Sequence, residues 1–177
     1  MFKKQREKYG HLPPKEAEEL PWSRVNVDLI GPYVVHTPTT THTLRVLTMI
    51  DPVTNWFEVT AIRDKNASTV MKAFNNTWTR YPRPQYIGYD NGSKFKAQFK
   101  DEMCDNCGIK EKPSTTYNPQ SNGIIERVHQ VLGNALRTFE LEEKELDTND
   151  PWGPFLSAAA WAIQRTVHTT LDATPGQ

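Results

Sequence analysis

The feature that most constrains the fold of this chain is a short apolar segment with one acid inside it. Residues 25–30 alternate between apolar and polar side chains and then become apolar, and Asp28 lies within the segment. Gly31-Pro32 follows directly and is a turn signal. The pattern predicts a buried β-strand that ends at this turn. An ionised carboxylate in such a strand is costly unless it is paired or binds a cation.

Two more strand patterns follow at once, in residues 44–50 and 56–62. The turn residues Asp51-Pro52 and Asn55 separate them, and a polar tip at residues 37–43 separates them from the first strand. Three consecutive strands with short links predict an antiparallel meander.

Helical spacing of apolar residues dominates the rest of the chain. Ser68 is expected to cap the first helix, and residues 85–89 form one more short strand. A long helix is predicted at about residues 122–140, and Pro151 is expected to open the last helix. Strands followed by alternating helix and strand predict one mixed α/β sheet with helices on its faces.

Composition sets limits on the function but does not identify it. The 177 residues suit one domain, and 21 basic residues balance 21 acidic ones, so charge alone gives no argument for nucleic acid. Residues 1–21 are polar and rich in proline, which predicts a linker or N-terminal arm before a single domain at residues 22–177. Without an apolar leader or a spanning segment, the protein is expected to be soluble and intracellular, with no membrane partner.

Three acids stand apart from the ordinary surface charges. Asp28 lies in an apolar strand, Asp90 follows a short strand, and Glu126 lies in the first turns of the long helix on its polar face. Taken singly, they could be a paired buried acid, a turn residue and a helix-start acid favoured by the helix dipole. Taken together, they could converge at the sheet edge, where carboxylate oxygens suit magnesium or manganese.

The spacing of these acids, with 35 residues between Asp90 and Glu126, resembles the D,D(35)E pattern of integrases of retroviruses and gypsy-class LTR retrotransposons. The flanking sequences are similar too: VDLIGP around Asp28, YDNGSKF around Asp90 and TYNPQSNGIIER ending just after Glu126. The likeness runs from about Trp22 to Pro175.

The resemblance implies an RNase H-like fold, a five-stranded mixed sheet flanked by helices. It implies that residues 22–177 are an integrase catalytic core holding two Mg²⁺ or Mn²⁺ ions, one shared by Asp28 and Asp90 and one by Asp28 and Glu126. Two such ions about 3.5–4 Å apart suit phosphodiester chemistry. The implied activity is DNA integration, in which metal-dependent cleavage (3′-end processing) precedes strand transfer of element DNA into target DNA.

The resemblance also implies partners and a location. DNA, both element ends and target, is the expected substrate, and a homodimer or higher homo-oligomer is expected through the outer helices. Candidate contacts there are Trp152, Phe155 and Trp161, although the same residues could fill the monomer core. A nuclear location is expected if the chain comes from a eukaryotic retroelement.

Candidate DNA contacts surround the three acids. Family members carry a DNA-contacting loop before the helix glutamate, which here corresponds to a loop at residues 113–121 and the start of the next helix. Lysine and arginine side chains near the acids could meet phosphates. Each position could equally be an ordinary polar or solvated residue. At His129 and Gln130 family members often carry Asn and Lys, so the resemblance implies DNA contact less strongly for these two residues. The candidates are Lys94, Tyr117, Asn118, Gln120, Asn122, Arg127, His129 and Gln130.

Two other functions remain open. A general nuclease of the RNase H type would hydrolyse DNA without joining it, and a strand-transfer assay would separate the two activities. A domesticated, inactive DNA-binding or scaffold protein is the second alternative, which the three intact acids disfavour.

Overall fold

A computed structural model describes residues 20–89, 100–111, 119–141, 150–166 and 174–175. Its five strands form one mixed sheet in the order β3-β2-β1-β4-β5. The strands are β1 (Arg24–His36), β2 (Thr41–Ile50), β3 (Phe57–Ile62), β4 (Tyr86–Tyr89) and β5 (Lys110–Glu111). The helices are α1 (Ala67–Trp78), a π-helical segment α2 (Asp101–Asn106), α3 (Pro119–Leu141) and α4 (Gly153–Gln164).

The first strand is longer than the sequence pattern predicts. It does not stop at Gly31-Pro32 but continues to His36, with a register shift between Ile30 and Tyr33. Gly31 adopts φ +92°, and a Cβ atom there would lie 2.7 Å from the carbonyl oxygen of Leu44. A bulge tolerates proline because the irregular register removes the need for its missing N–H. The prediction of a turn was therefore wrong, and the Gly-Pro pair bends a continuing strand.

The predicted meander is confirmed, and the rest of the sheet is parallel. β1 pairs antiparallel with β2, and β2 pairs antiparallel with β3. β4 lies parallel to β1 on its other side, with Val27 opposite Tyr89, and β5 extends the parallel half. β4 thus ends beside the residue that precedes Asp28.

Alternation along β1 separates two hydrophobic layers. Val25 and Val27 belong to the layer that contains α1, whereas Ile30 belongs to the layer of α3 and α4. Successive side chains of a strand point to opposite faces of the sheet. Asn26 and Asp28 therefore share the face of Ile30, beneath α3 and α4.

The helix boundaries differ from the predicted ones by a few residues. Asn66, not Ser68, is the N-cap of α1, and its side chain makes no capping hydrogen bond. α3 begins at Pro119 rather than at about residue 122. Val128, Leu132 and Leu136 form its buried stripe. Across the described ranges, no helix is long and apolar enough to span a membrane.

Asp51 is the structural acid of the fold. It is 1% exposed and follows β2, and both of its carboxylate oxygens are used. Oδ1 accepts a hydrogen bond from the backbone N–H of Val53 at 2.9 Å. Oδ2 accepts from the backbone N–H of Trp22 at 3.1 Å and from the hydroxyl of Thr54 at 2.6 Å. The carboxylate therefore connects Trp22, two residues before β1, to the β2–β3 turn.

We expect Asp51→Asn to lower the free energy of unfolding by about 2–4 kcal/mol, because an amide NH₂ would face buried donors that need an acceptor. Urea denaturation measures the change. Asp105→Asn, at an exposed position on α2, is the control and should stay within about 0.5 kcal/mol of the parent. Equal stability of both variants would contradict the structural role of Asp51.

Candidate active site

Asp28 lies in β1 on the face covered by α3 and α4, and its side chain is 30% exposed. Oδ1 accepts the backbone N–H of Leu29 at 2.8 Å. The backbone carbonyl of Asp28 accepts a hydrogen bond from the hydroxyl of Thr48, its partner on β2, at 3.2 Å. One carboxylate oxygen is thus fixed by the strand itself.

The second oxygen of Asp28 is open. Oδ2 accepts no hydrogen bond from the described residues, and its neighbour there is Nε2 of His129 on α3, 3.4 Å away. The two atoms are close enough for electrostatic attraction but do not form a hydrogen bond. An oxygen without donors, in a partly exposed carboxylate, is available to a cation. Asp28 therefore fits the role of a metal ligand.

Glu126 lies on α3 one turn before His129, and its side chain is exposed to solvent. Residues three apart on a helix share a face, so Glu126 and His129 belong to the side of α3 that approaches Asp28. Among the described residues, no three His, Cys, Asp or Glu side chains are close enough together to hold a metal ion. Asp90, the remaining acid of the predicted triad, lies outside the described residues.

Polar groups surround Asp28 on an otherwise apolar sheet face. Asn26 is 7% exposed, and its Oδ1 has no hydrogen-bond partner in the described structure. Burial raises the pKa of the Tyr33 phenol, and the negative charge of Asp28 raises it further. Tyr33 is therefore neutral near pH 7 and adds no second negative charge beside Asp28.

The end of β4, directly before Asp90, is held by a hydrogen-bonded group. The hydroxyl of Tyr89 donates to Oε1 of Glu111 at 2.7 Å, and Lys100 contacts Oε2 of Glu111 at 2.8 Å. Burial and the hydrogen bond to Glu111 raise the pKa of Tyr89 well above its ordinary value. These contacts join β4, β5 and the segment that leads into α2, and so fix the strand end from which Asp90 continues.

The structure describes only part of the predicted DNA-contact set. Lys94, Tyr117 and Asn118 lie outside the described residues. Gln120 and Asn122 fall within α3, so the prediction that Gln120 lies in a loop was wrong; their side chains are not described. Arg127 and Gln130 are exposed, whereas His129 is half-buried against Asp28. A role in DNA contact stays a prediction for all of these residues.

A second buried acid, Glu58, was not singled out from the sequence. Its carboxylate accepts hydrogen bonds from Trp56 Nε1 at 2.9 Å, Arg80 Nη2 at 2.8 Å and the hydroxyl of Tyr81 at 2.7 Å. Burial, together with the hydrogen bond that the Tyr81 hydroxyl donates to Glu58, raises the pKa of Tyr81 to about 12. The one available signal was an acid in an apolar strand, the same signal as for Asp28. Because both carboxylate oxygens of Glu58 accept hydrogen bonds from these three side chains, we assign Glu58 a role in stabilising the fold.

The aromatic residues proposed as subunit contacts divide into two kinds. Trp152 is 8% exposed and packs in the core, with its ring edge-on to His42, so of its two expected roles the structure supports filling of the monomer core. Phe155 is half-buried. Trp161 is 61% exposed on α4, and the guanidinium of Arg165 lies 4.8 Å from the centre of its ring. Trp161 alone is a large exposed apolar side chain on this helix.

We expect Asp28→Asn to change the free energy of unfolding, without added metal, by less than about 1 kcal/mol. The amide oxygen can still accept the N–H of Leu29, and no described donor depends on Oδ2. Urea denaturation measures this, with Asp51→Asn as the contrasting variant. A loss for Asp28→Asn as large as for Asp51→Asn would identify Asp28 as a structural acid.

Comparison with known proteins connects these residues to one family. The family model for the integrase core domain matches residues 21–119. Gypsy retrotransposon integrase-like protein 1 of Bos taurus is 31% identical over 161 residues, covering 89% of this chain and 30% of the relative. The Pol polyprotein of Feline endogenous virus ECE1 is 30% identical over 122 residues, covering 68% of this chain and 11% of the relative. The chain thus spans less than a third of either relative.

Solved structures share the architecture. The HTLV-2 integrase catalytic core domain in complex with magnesium, in its trimeric form, superposes with a TM-score of 0.61 at 20% identity, over 90% of this chain and 97% of that one. This likeness establishes the RNase H-like fold, the five-stranded mixed sheet with flanking helices that the sequence resemblance implied. With the family model matching more than half of its length, the chain belongs to the integrase core domain family.

Proposed function

We propose that this chain is the catalytic core of an integrase that cuts and joins DNA with the help of divalent metal ions. Asp28, Asp90 and Glu126 are its catalytic and metal-binding residues, and two Mg²⁺ or Mn²⁺ ions are its cofactors. Its substrates are the ends of element DNA and a target DNA, and its place of action is the nucleus if the chain comes from a eukaryotic retroelement.

The observation that carries this proposal is the open oxygen of Asp28. The carboxylate lies on a central strand, and the strand uses only Oδ1. Oδ2 faces α3 one turn after Glu126. The fold therefore holds a strand carboxylate towards a helix face that carries a second carboxylate, and oxygen ligands of this kind suit magnesium and manganese.

The proposed chemistry consists of two in-line displacements at phosphorus. In the first, a water oxygen forms a bond to phosphorus near the end of element DNA, the bond to the 3′ oxygen breaks, and a 3′-OH remains. In the second, the oxygen of this 3′-OH loses its proton and forms a bond to a phosphorus of the target strand, and the bond from that phosphorus to its 3′ oxygen breaks. The target 3′-OH is the leaving group, and the element end is joined to the target 5′ phosphate. Bound divalent ions would activate the attacking oxygen and stabilise the leaving oxygen. Asp28 and Glu126 would hold those ions, and the hydrogen bond from the backbone N–H of Leu29 to Oδ1 fixes the orientation of the Asp28 carboxylate, so that Oδ2 stays directed towards α3.

Contacts to DNA are proposed for the residues around the acids. Arg127 and Gln130 are exposed on the turns of α3 that follow Glu126. Phosphate contacts fix the position of a protein on DNA but do not distinguish one base sequence from another directly. The described part of α3 thus offers positioning contacts, and Tyr117 and Asn118, which the sequence predicts to lie in a loop, are proposed to add others.

We expect Glu126→Gln to reduce the stabilisation of the protein by Mn²⁺ without reducing its stability in the absence of metal. Glu126 is exposed and makes no hydrogen bond or ion pair with another described residue. An ion at a hundredfold excess over its Kd stabilises a folded protein by about 2.7 kcal/mol, which raises the melting temperature of a chain of this size by about 5–10 °C. The variant should show less than half of this rise.

Melting curves with and without Mn²⁺ measure the effect, and Asp105→Asn is the control for the loss of one negative charge. Labelled element-end DNA then tests the reaction: the parent should give nicked and joined products, and Glu126→Gln neither. Nicking without joining would favour a general nuclease. DNA binding without either product would favour an inactive DNA-binding protein. A variant that unfolds without metal, or that keeps full activity, would remove Glu126 from the site.

Self-association is proposed to use the outer surface of α4. Trp161 is exposed there, and tryptophan is enriched among residues that dominate interface energies. The related HTLV-2 core is described in a trimeric and a dimeric form. A homodimer of this chain would bury Trp161 against a second copy.

We expect Trp161→Glu to weaken dimerisation by about 30-fold or more, which corresponds to about 2 kcal/mol. Sedimentation over a range of protein concentrations measures the dissociation constant. Val34→Glu is the matched control, since Val34 is also exposed, at 52%, but lies on β1. A parent that stays monomeric, or a Val34 variant that dissociates while the Trp161 variant does not, would contradict this interface.

A further inference from the structure

His129 presents an unusual atom to the candidate site. Its side chain is 40% exposed, yet Nε2 is buried and has no hydrogen-bond partner in the described structure. The group that Nε2 faces is Oδ2 of Asp28, 3.4 Å away, which accepts no hydrogen bond from the described residues. A buried polar atom without a partner costs about 1–3 kcal/mol. A buried nitrogen without a hydrogen bond therefore faces an oxygen of a partly exposed carboxylate across one short gap.

The size of this gap suits one shared cation. With ligand bonds of about 2.1 Å to nitrogen and to oxygen, a separation of 3.4 Å corresponds to an angle of about 108° at the ion. That angle is close to the tetrahedral value and wider than the angle of about 90° between neighbouring ligands of the octahedral site that magnesium prefers. A direct hydrogen bond, in contrast, prefers about 2.9 Å and a straight N–H···O arrangement, and the two atoms do not adopt it.

The spacing along α3 supports the same conclusion. Glu126-Arg127-Val128-His129 is a Glu-x-x-His sequence, which places a carboxylate and an imidazole three residues apart on one helix face. Helical proteins that bind iron or manganese use this spacing to direct both groups to one metal site. Val128 is fully buried, so the rotation of the helix about its axis is fixed by the core.

We propose that Nε2 of His129 is a direct ligand of the divalent ion held by Asp28, and that it shifts the preference of the site from Mg²⁺ towards Mn²⁺. The inference rests on the proposed function, because it takes Asp28 as a metal ligand. Magnesium prefers oxygen ligands in near-ideal octahedral geometry, whereas imidazole is the commonest nitrogen ligand of transition metals. One nitrogen ligand therefore favours the transition metal.

Electron spin echo modulation of protein-bound Mn²⁺ tests this directly, because a coordinated imidazole nitrogen produces a ¹⁴N modulation that oxygen ligands do not. The folded parent chain, loaded with one equivalent of Mn²⁺ at a fixed neutral pH, should show it. His129→Gln should lose the modulation, bind Mn²⁺ about 10- to 100-fold more weakly and change its Mg²⁺ affinity less than about threefold. The control is His36→Gln, which alters an exposed histidine at the far end of β1, the strand that carries Asp28. This variant should behave like the parent.

The outcomes separate this inference from the proposed function. Suppose that Asp28→Asn and Glu126→Gln both lower the Mn²⁺ affinity but that the parent shows no ¹⁴N modulation. Then His129 is not a ligand, while the proposed metal site stands. If both acid variants bind Mn²⁺ as the parent does, the metal site fails and this inference fails with it. The parent spectrum decides the first question even if His129→Gln does not fold.

Discussion

The central position of β1 is the constraint on which the site depends. β1 is paired on both edges, antiparallel to β2 and parallel to β4. Both of its faces are covered, so its side chains alternate between the layer of α1 and the layer of α3 and α4. A shift of the register by one residue would exchange the two sets of side chains and place Asp28 among the apolar residues around α1. The pairs Asn26–Ile50 and Val27–Tyr89 therefore fix the location of the carboxylate as well as the sheet.

Three acids in or next to the strands show how the surroundings of a carboxylate separate structural from chemical roles. Asp51 is 1% exposed and Glu58 is 9% exposed, and each accepts three hydrogen bonds. Removing either would leave buried donors without a partner. Asp28 is more exposed, and only one of its oxygens is occupied. A carboxylate in a strand costs free energy to bury, and where the fold leaves half of its hydrogen-bonding capacity unused, that capacity is free for a ligand.

The sequence predicted the meander, the short fourth strand and the three main helices, because each has a clear period of apolar residues. It failed where the outcome depends on distant contacts. The bulge at Gly31 depends on the approach of Leu44, and β5 has only two residues, too few for any periodicity. In the candidate site, Asp28 and Glu126 were identifiable from their positions and from the family resemblance. The contact between Asp28 and His129 was not, since it joins a strand and a helix 101 positions apart in the chain.

The long helix α3 links the stability of the fold to the geometry of the site. Val128 and Leu132 are fully buried against the sheet, and they are interleaved with Glu126 and His129 along the same turns. Each residue advances a helix by about 100°, so the buried stripe determines the direction of the polar face. A cavity made at Leu132 would therefore allow the helix to move and would change the distance between His129 and Asp28 without altering either residue. Packing at one face of α3 and the chemistry at the other are thus two consequences of a single rotation angle.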